Sequence, residues 1–195
     1  RGVMIAILQY NAGNTRSVRN ALHRLGVEPV ITADPEQLRS ADKVIFPGVG
    51  EASTAMTYLR EKGLDKVICD LQQPFLGICL GMQLLCSHSE EGDTATLGLF
   101  EAKVKRFRIE EKVPHMGWNN LKMKDHPLFV GLPDQPDVYF VHSYFAELAP
   151  ETIATATYGH EFSAALHRDN FYGVQFHPEK SAQVGAQILQ NFLDL

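Results

Sequence analysis

Apolar and polar residues follow two different periods along the first half of the chain. A continuous apolar run at residues 3–8 is typical of a strand that is buried on both faces, and shorter apolar runs within 27–32 and 43–46 predict two further strands. Between these runs, residues 15–25 and a short segment that begins at Asp34 repeat apolar positions at helical spacing. The alternation of strand and helix predicts a parallel sheet with helices on both faces.

The second half of the chain has shorter and less regular segments. A polar stretch at 89–96 predicts a loop, and PHMGWN at 114–119 predicts a turn-rich segment. Apolar positions at helical spacing over 182–193 predict a closing helix. We therefore expect a mixed α/β fold, mostly parallel at its centre, with extra antiparallel strands in the second half. The main expected strands of that half are 138–144, 153–158, 164–167 and 172–176.

Length and composition favour one domain. The chain has 195 residues, 45% of them hydrophobic and 21% charged, with a formal net charge of −5. We expect a single domain over residues 4–195, with residues 1–3 a remnant that is not native. The negative charge disfavours nucleic acid as a partner, and no apolar run reaches membrane-spanning length. Three cysteines without CxxC spacing support neither a disulfide framework nor a zinc site, so a cytoplasmic protein without a metal is expected.

The sequence PFLGICLGMQ predicts a strand, a sharp turn and a helix, with Cys79 on the turn between Gly77 and Gly81. Backbone segments pass close together at such a turn, and only a residue without Cβ permits that approach. The positive end of the following helix favours the thiolate, which is the nucleophilic form. A buried structural cysteine is the alternative, and we assign that role to Cys69 and Cys86.

Two further motifs supply the chemistry that a nucleophilic thiol needs. His177 and Glu179 are two residues apart, and an extended segment would place them on one side, so the carboxylate can fix the imidazole tautomer. The glycine-bracketed loop at 47–50 offers backbone N–H groups for an oxyanion. Taken alone, the first motif is also typical of a surface turn, and the second of a plain connection. Together with Cys79 they predict a Cys-His-Glu triad.

These motifs resemble those of the class I (triad) glutamine amidotransferases: GICLGMQ around Cys79, HPE at 177–179 and PGVG at 47–50. The resemblance spans nearly the whole chain. PHMGWN, YFVHSY and FYGVQFHPEKS are similar to motifs in the glutaminase subunits of imidazole glycerol phosphate synthases. The resemblance implies a flavodoxin-like α/β fold and cofactor-free hydrolysis of L-glutamine to glutamate and ammonia through a thioester on Cys79. His177 would carry the proton to the departing ammonia, and Glu179 would orient His177.

The resemblance also implies three further sets of site residues. The implied oxyanion donors are the backbone N–H groups of Gly48, Val49, Gly50 and Leu80. The residues implied to bind glutamine are Gln83, Glu91, His142, Ser143 and Tyr144. The residues implied to lie at a partner interface or channel mouth are Trp118, Asn119, Tyr139 and Lys180.

The chain offers its own reason to expect a partner. It has no phosphate-binding motif and no room for a second domain, so it lacks a site for an ammonia acceptor. The resemblance implies a heterodimer with a (β/α)₈-barrel cyclase, whose ligand triggers a rearrangement of the loop at Val49 and which receives ammonia through a channel. The cyclase would make imidazole glycerol phosphate and AICAR in histidine biosynthesis. The alternatives are another triad amidotransferase, a free-standing cysteine hydrolase and a catalytically inactive docking subunit.

Overall fold

The computed structural model describes residues 2–195; Arg1, part of the predicted remnant, lies outside them. The described chain contains fourteen strands, six α-helices and two short 3₁₀ helices. The strands are β1 (Ile5–Leu8), β2 (Val30–Thr32), β3 (Lys43–Phe46), β4 (Phe75–Ile78), β5 (His88–Ser89), β6 (Thr94–Ala95), β7 (Lys103–Arg106), β8 (His115–Asn120), β9 (Lys122–Met123), β10 (Asp137–His142), β11 (Tyr144–Ala146), β12 (Thr152–Tyr158), β13 (His160–Arg168) and β14 (Phe171–Val174). The α-helices are α1 (Thr15–Arg24), α2 (Pro35–Ser40), α3 (Ala52–Glu61), α4 (Leu64–Asp70), α5 (Leu80–Leu85) and α6 (Ala182–Leu193), and the 3₁₀ helices are Pro127–Phe129 and Pro178–Lys180.

Five parallel strands form one side of a large sheet, in the order β2-β1-β3-β4-β14. The sheet continues through β13, β11, β7, β5 and β6, where the pairs are antiparallel except β5 with β7. The expected mixed α/β fold, with a parallel centre and antiparallel additions, is therefore confirmed. No helix of residues 2–195 combines the length and the apolar character that crossing a membrane requires.

Alternate side chains of the parallel strands enter two separate hydrophobic cores. On one face, Ile5 and Ile7 pack in a core to which α1 and α6 also contribute. On the other face, Ala6 and Leu8 pack with apolar side chains of α2 to α5. Helices therefore cover both faces of these strands, and the carboxyl ends of the strands meet at one edge, where open α/β sheets carry their sites.

The segment at 114–119 differs from the sequence prediction. Residues of the expected turn form β8, which pairs antiparallel with β10 in a separate two-stranded sheet, here termed the ribbon. Trp118 lies opposite Tyr139, and His115 lies opposite His142. Pairing with a strand about 20 residues further on stabilises the extended backbone, and that contact is invisible in the local composition.

Two shorter segments also differ. The predicted loop at 89–96 contains a small hairpin, because β5 and β6 pair antiparallel with His88 opposite Ala95. The predicted strand at 172–176 ends at Val174, so Gln175 lies beyond β14 at the edge of the sheet. These boundaries bring Gln175 and the following motif to the carboxyl end of the parallel strands.

Candidate active site

Cys79 occupies the sharp turn between β4 and α5. Its backbone has φ 56° and ψ −115°, an uncommon conformation for a residue with a side chain. The neighbouring glycines explain how the turn fits, because a Cβ at Gly81 would overlap the carbonyl oxygen of Phe46, and one at Gly77 would lie 2.8 Å from the Gly81 backbone. Cys79 lies on this turn at the carboxyl end of the sheet, and its side chain is buried but borders a cavity.

His177 and Glu179 form a hydrogen-bonded pair beside the turn. Nδ1 of His177 lies 3.0 Å from Oε2 of Glu179, and the two side chains are 2% and 3% exposed. The sequence analysis expected an extended segment here, and the structure differs. The segment is a 3₁₀ turn, Pro178–Lys180, and this turn brings the two side chains together. Ser181 fixes it to the ribbon, donating to the His177 carbonyl at 2.6 Å and accepting from Tyr139 N–H at 2.9 Å.

Helix α6 closes against this turn from behind. A Cβ at Gly185 would overlap the carbonyl oxygen of Pro178, so the helix approaches the turn at a position where a side chain has no room. The His177 backbone N–H also donates to the Tyr139 carbonyl at 2.9 Å. His177 is therefore held by one hydrogen bond at its ring and by hydrogen bonds at both its backbone N–H and its carbonyl group.

The electrostatics of His177 favour a charged imidazole. Burial lowers its pKa, but the neighbouring Cys79 and Glu179 act in the opposite direction and prevail, raising the pKa to about 10. Nε2 is buried, and no group of the described residues lies within ordinary hydrogen-bond geometry of it. The interaction with Cys79 is therefore longer or less well aligned than a formed hydrogen bond.

Cys79 and His177 line one cavity of about 320 Å³, together with most of the residues that the sequence analysis assigned to glutamine and oxyanion binding. Glu179 stands behind His177 and does not line the cavity, and neither does Gly48. Pro114 and Val141 add to the wall. The predicted site residues that share the cavity with Cys79 and His177 are Val49, Gly50, Leu80, Gln83, Glu91, His142, Ser143 and Tyr144.

Two of the four expected oxyanion donors are already engaged. The Leu80 N–H donates to the Gly48 carbonyl at 3.1 Å, and the Val49 N–H donates to the Ala12 carbonyl at 2.7 Å. Tyr10 holds the loop from beneath, its hydroxyl donating to the Pro47 carbonyl at 2.8 Å. Leu80 and Val49 therefore offer no free donor in this conformation, because the backbone satisfies these groups within the protein. Their role as oxyanion donors stays a prediction, and it requires the rearrangement of the loop at Val49 that the resemblance implies.

Hydrogen bonds within the protein hold the side chains of Glu91 and Gln83, two of the predicted glutamine ligands. Burial raises the pKa of Glu91, whose Oε1 accepts from the Ala52 N–H at 2.8 Å. Gln83 uses its amide nitrogen twice, donating to the Tyr144 carbonyl at 2.9 Å and to Oε1 of Gln175 at 2.8 Å. A polar wall of this kind can fix a ligand that carries both an amino and a carboxyl group.

Gln175 is a site residue that the sequence analysis missed. Its side chain is fully buried, and its Nε2 lies 3.6 Å from the Cys79 sulfur. One signal was available in the sequence: a lone amide between the apolar residues Val174 and Phe176. A buried amide needs hydrogen-bonding partners, so its position predicts a polar contact in the interior.

The predicted partner residues lie on or beside the ribbon. Trp118 is 56% exposed and contacts the Tyr139 ring at 5.9 Å between centroids, and Lys180 is also exposed. Asn119 differs, because its amide donates inward, to the Thr157 carbonyl at 2.8 Å. Residues 2–195 contain no group of three or more histidine, cysteine or acidic side chains that could hold a metal.

Comparison with known proteins adds independent information. Residues 6–195 match the family model for class-I glutamine amidotransferase. Imidazole glycerol phosphate synthase subunit HisH of Bacteroides thetaiotaomicron is 58% identical over 194 residues, covering 98% of this chain and 99% of the relative. The HisH subunit of Yersinia pseudotuberculosis is 47% identical over 194 residues, with the same coverage.

Solved structures agree on the architecture. A crystal structure of a glutamine amidotransferase has a TM-score of 0.76 at 23% identity, covering 99% of this chain and 98% of its own. A glutamine amidotransferase from Thermotoga maritima has a TM-score of 0.66 at 19% identity, covering 100% of this chain and 84% of its own. Identity at this level establishes the shared fold, whereas the family match and the close relatives establish descent. The chain belongs to the class I glutamine amidotransferase family.

Proposed function

We propose that this protein is the glutaminase subunit of an imidazole glycerol phosphate synthase, releasing ammonia from L-glutamine for a partner subunit. The observation that carries the proposal is the juxtaposition of Cys79, His177 and Glu179 at one polar cavity. The names of relatives at 47–58% identity support the choice of synthase. We further propose that the protein works in the cytoplasm.

The geometry supports a thioester mechanism. The Cys79 sulfur attacks the side-chain carboxamide carbon of glutamine, giving a tetrahedral intermediate. The His177 imidazolium then gives its Nε2 proton to the amide nitrogen, the carbon–nitrogen bond breaks, and ammonia leaves. A water molecule attacks the thioester while His177 accepts its proton, and glutamate is released. Glu179 holds Nδ1 throughout, which fixes the tautomer and supports the charged ring.

Charge stabilisation is incomplete in this conformation, because two of the four expected oxyanion donors are engaged. The negative oxygen of the tetrahedral intermediate needs N–H donors, yet Leu80 and Val49 donate to Gly48 and Ala12. Loss of one such donor typically lowers kcat by about 10²–10³-fold. We therefore infer that the loop at 47–50 must rearrange before the site reaches full activity.

The outer face of the ribbon supplies a reason for that rearrangement to depend on a partner. Met116 is 63% exposed and Trp118 is 56% exposed, and both belong to β8, whose first residue is buried beside the cavity. Exposed apolar side chains grouped in this way are typical of a protein interface. We propose that a (β/α)₈-barrel cyclase docks here as a heterodimer, with Tyr139 and Lys180 also in contact, receives ammonia, and makes imidazole glycerol phosphate and AICAR.

The three alternatives are less well supported. A free-standing hydrolase would need a complete set of oxyanion donors without a partner, and the N–H groups of Val49 and Leu80 are engaged. A purely docking subunit would have no use for a buried histidine and carboxylate aligned beside a thiol. Another triad amidotransferase would fit the triad equally well, but not the close relatives, which are named as HisH subunits.

Glutamate release from glutamine tests the proposal. It should be measured for this chain alone, with the cyclase subunit, and with the cyclase and its phosphorylated ribonucleotide ligand. We expect slow release alone and strong release only in the full mixture, because the partner must free the loop. Rapid release by the chain alone would contradict a partner-gated glutaminase, and no release in any mixture would contradict glutaminase activity.

A further inference from the structure

A chain of hydrogen bonds begins at the ribbon and leads toward the cavity. Nδ2 of Asn119 lies 3.4 Å from Nε2 of His115, and Nδ1 of His115 lies 2.9 Å from Nε2 of His142. The other nitrogen of His142 lies 2.8 Å from the Tyr144 carbonyl oxygen. Gln83 donates to the same oxygen at 2.9 Å, so the first part of the chain ends on two groups that line the cavity.

The second part of the chain connects the cavity wall to the thiol. The Gln83 amide nitrogen also donates to Oε1 of Gln175 at 2.8 Å, and Nε2 of Gln175 lies 3.6 Å from the Cys79 sulfur. Gln175 is fully buried, and its backbone N–H donates to the Ala164 carbonyl at 2.8 Å. An unbroken series of polar contacts thus joins the ribbon to the nucleophile.

The direction of every hydrogen in the histidine part follows from one fixed acceptor. The Tyr144 carbonyl can only accept, so Nδ1 of His142 carries a hydrogen, and Nε2 of the neutral ring accepts. His115 must then donate from Nδ1 and accept from Asn119 at Nε2. Burial lowers the pKa of His142 to about 3 and that of His115 to about 4, so both rings are neutral near pH 7.

The same reasoning fixes the orientation of the side-chain amides of Gln83 and Gln175. Gln83 uses its amide nitrogen for Tyr144 and Gln175, so its own oxygen, to which no described residue donates, is left for a ligand. An acceptor at this point suits the α-ammonium group of an amino acid. Gln175 accepts at its oxygen and therefore presents its N–H₂ group to the Cys79 sulfur.

We propose that His115 and Gln175 are positioning residues for the glutaminase reaction. The proposal depends on the proposed function, and neither residue lines the cavity, so neither is expected to touch the substrate. Gln175 holds the sulfur and donates to it as it becomes negatively charged. His115 keeps His142 in the tautomer that holds the Tyr144 carbonyl, which in turn orients Gln83.

The packing of His115 allows a clean test. Its ring stacks on Tyr158 at 4.1 Å and on Phe140 at 4.8 Å between centroids, so His115→Phe preserves an aromatic ring there and removes both nitrogens. His115→Asn loses the ring but places an amide N–H close to the position of Nδ1. A hydrogen-bonding role predicts that His115→Asn is the more active variant, whereas a packing role predicts the reverse.

Gln175→Met tests the other end, since it keeps the length of the side chain and removes the amide. Gln72→Met, at an exposed position, is the matched control. In the complex with the cyclase and its ligand, we expect His115→Phe and Gln175→Met each to lower kcat about tenfold, the equivalent of one hydrogen bond. KM should be unchanged in Gln175→Met, because its side chain lies outside the cavity.

A second readout does not depend on glutaminase activity. Alkylation of Cys79 by iodoacetamide in the isolated chain, followed by peptide mass spectrometry, should slow about tenfold in Gln175→Met, with half-buried Cys69 as the internal reference. If the wild-type complex releases no glutamate, the proposed function fails, and the alkylation rate still tests the position of the thiol.

Wild-type kcat and wild-type alkylation in both variants would overturn the proposal. So would a His115→Asn variant that is no more active than His115→Phe, since the amide N–H would then restore nothing that the aromatic ring does not. Circular dichroism and thermal unfolding identify a variant that does not fold. In that case the rate of Cys79 alkylation is compared between Gln175→Met and the control Gln72→Met. Equal rates in these two variants would count against the proposal.

Discussion

The nucleophile side of the candidate site consists of side chains, whereas the oxyanion side consists of backbone N–H groups. On the nucleophile side, the buried His177 and Glu179 side chains are paired at 3.0 Å beside Cys79. On the oxyanion side, the N–H groups of Val49 and Leu80 donate to carbonyl groups of the protein. The proton-transfer groups are therefore assembled, whereas two of the expected donors for negative charge are engaged elsewhere. Control of the reaction is expected to act on the backbone loop and not on the triad.

The physical reason for the difference is the cost of each rearrangement. Moving His177 would break its bonds to Glu179, Ser181 and the Tyr139 backbone in a buried setting. Moving the loop at 47–50 exchanges backbone hydrogen bonds for bonds to an oxyanion, and Gly50 permits backbone angles that other residues resist. Rearranging the loop at 47–50 therefore requires less free energy than moving His177.

Removing the nucleophile should have the largest effect. Cys79→Ser is expected to lower glutamine hydrolysis by about 10⁵–10⁶-fold, since triad members act as a unit. Synthesis driven by added ammonium salt should persist in the complex, because ammonia then needs no thioester. Glutamate release and ammonia-driven synthesis, measured side by side, check the prediction. Unchanged glutamine turnover would rule out Cys79 as the nucleophile.

Altering the carboxylate should have the next largest effect. Glu179→Gln keeps the shape of the side chain but removes one of the groups that raise the His177 pKa, and it can select the wrong tautomer. We expect kcat to fall by up to about 10⁴-fold, as for the acidic residue of other triads. The pH dependence of kcat should shift toward a lower apparent pKa. A variant that retains more than a tenth of wild-type activity would show that Glu179 is dispensable.

A substitution in the loop at 47–50 should raise activity, whereas the two preceding substitutions lower it. Gly50 has φ 113°, so Gly50→Ala strains the resting loop by about 1–3 kcal/mol, although its Cβ would meet only Ala12, at 3.7 Å. If the productive loop relieves that strain, glutamate release without a partner should rise by between about fivefold and a hundredfold.

Gly26→Ala is the matched control for this prediction. Gly26 has φ 82°, a Cβ there would meet no atom within 4 Å, and it lies at the end of α1, away from the cavity lining. It should lower stability without changing glutamate release. A decrease in partner-free activity in Gly50→Ala would indicate that the observed loop is already the productive one.

The smallest expected effect concerns the pH dependence of stability, to which the buried rings of His115 and His142 contribute. His115 and His142 have pKa values near 4 and 3 when folded, below the ordinary value of 6.5, so the unfolded chain takes up protons first as the pH falls. Their contribution to stability is complete above about pH 6.5 and is lost toward pH 4. His177 acts in the opposite direction at the upper end of this window, because its folded pKa of about 10 lies above the ordinary value of 6.5. Its contribution to stability grows as the pH falls toward 6.5 and is complete below that value, so it offsets part of the change near pH 7.

We expect each of these two histidines to lower the free energy of unfolding by about 1–2 kcal/mol between pH 7 and pH 5. Urea unfolding at both pH values measures the change. His115→Phe removes one of the two titrating rings and should show a smaller change than the wild type. Identical pH dependence in the two proteins would mean that His115 is not held neutral by the fold.

Local sequence signals were sufficient for elements whose burial is regular. The predicted strand at 43–46 and the predicted helix at 182–193 coincide with β3 and α6. The glycines around Cys79 likewise announced the turn, because a close backbone approach has few other solutions. In these cases the cause of the structure lies within about ten residues of chain.

Other features depend on partners that are distant in the chain. β8 is a strand because of β10, and the amide of Gln175 meets the Cys79 sulfur across 96 residues of sequence. Whether the Val49 N–H faces an oxyanion or the Ala12 carbonyl depends on a peptide orientation, which leaves no trace in residue type. The candidate triad was therefore predictable as a set, whereas the state of its oxyanion loop was not.

The central place of β14 has a consequence for the order of biosynthesis. β14 pairs with β4, so the strand that leads to Cys79 gains one of its two neighbours only after the ribosome has made residues 171–174. At about 5–20 residues per second, that delay is roughly 5–20 s. During that interval the thiol exists without its base, so a nascent chain cannot hydrolyse glutamine. Formation of the candidate site therefore depends on the last strand of the fold to be synthesised.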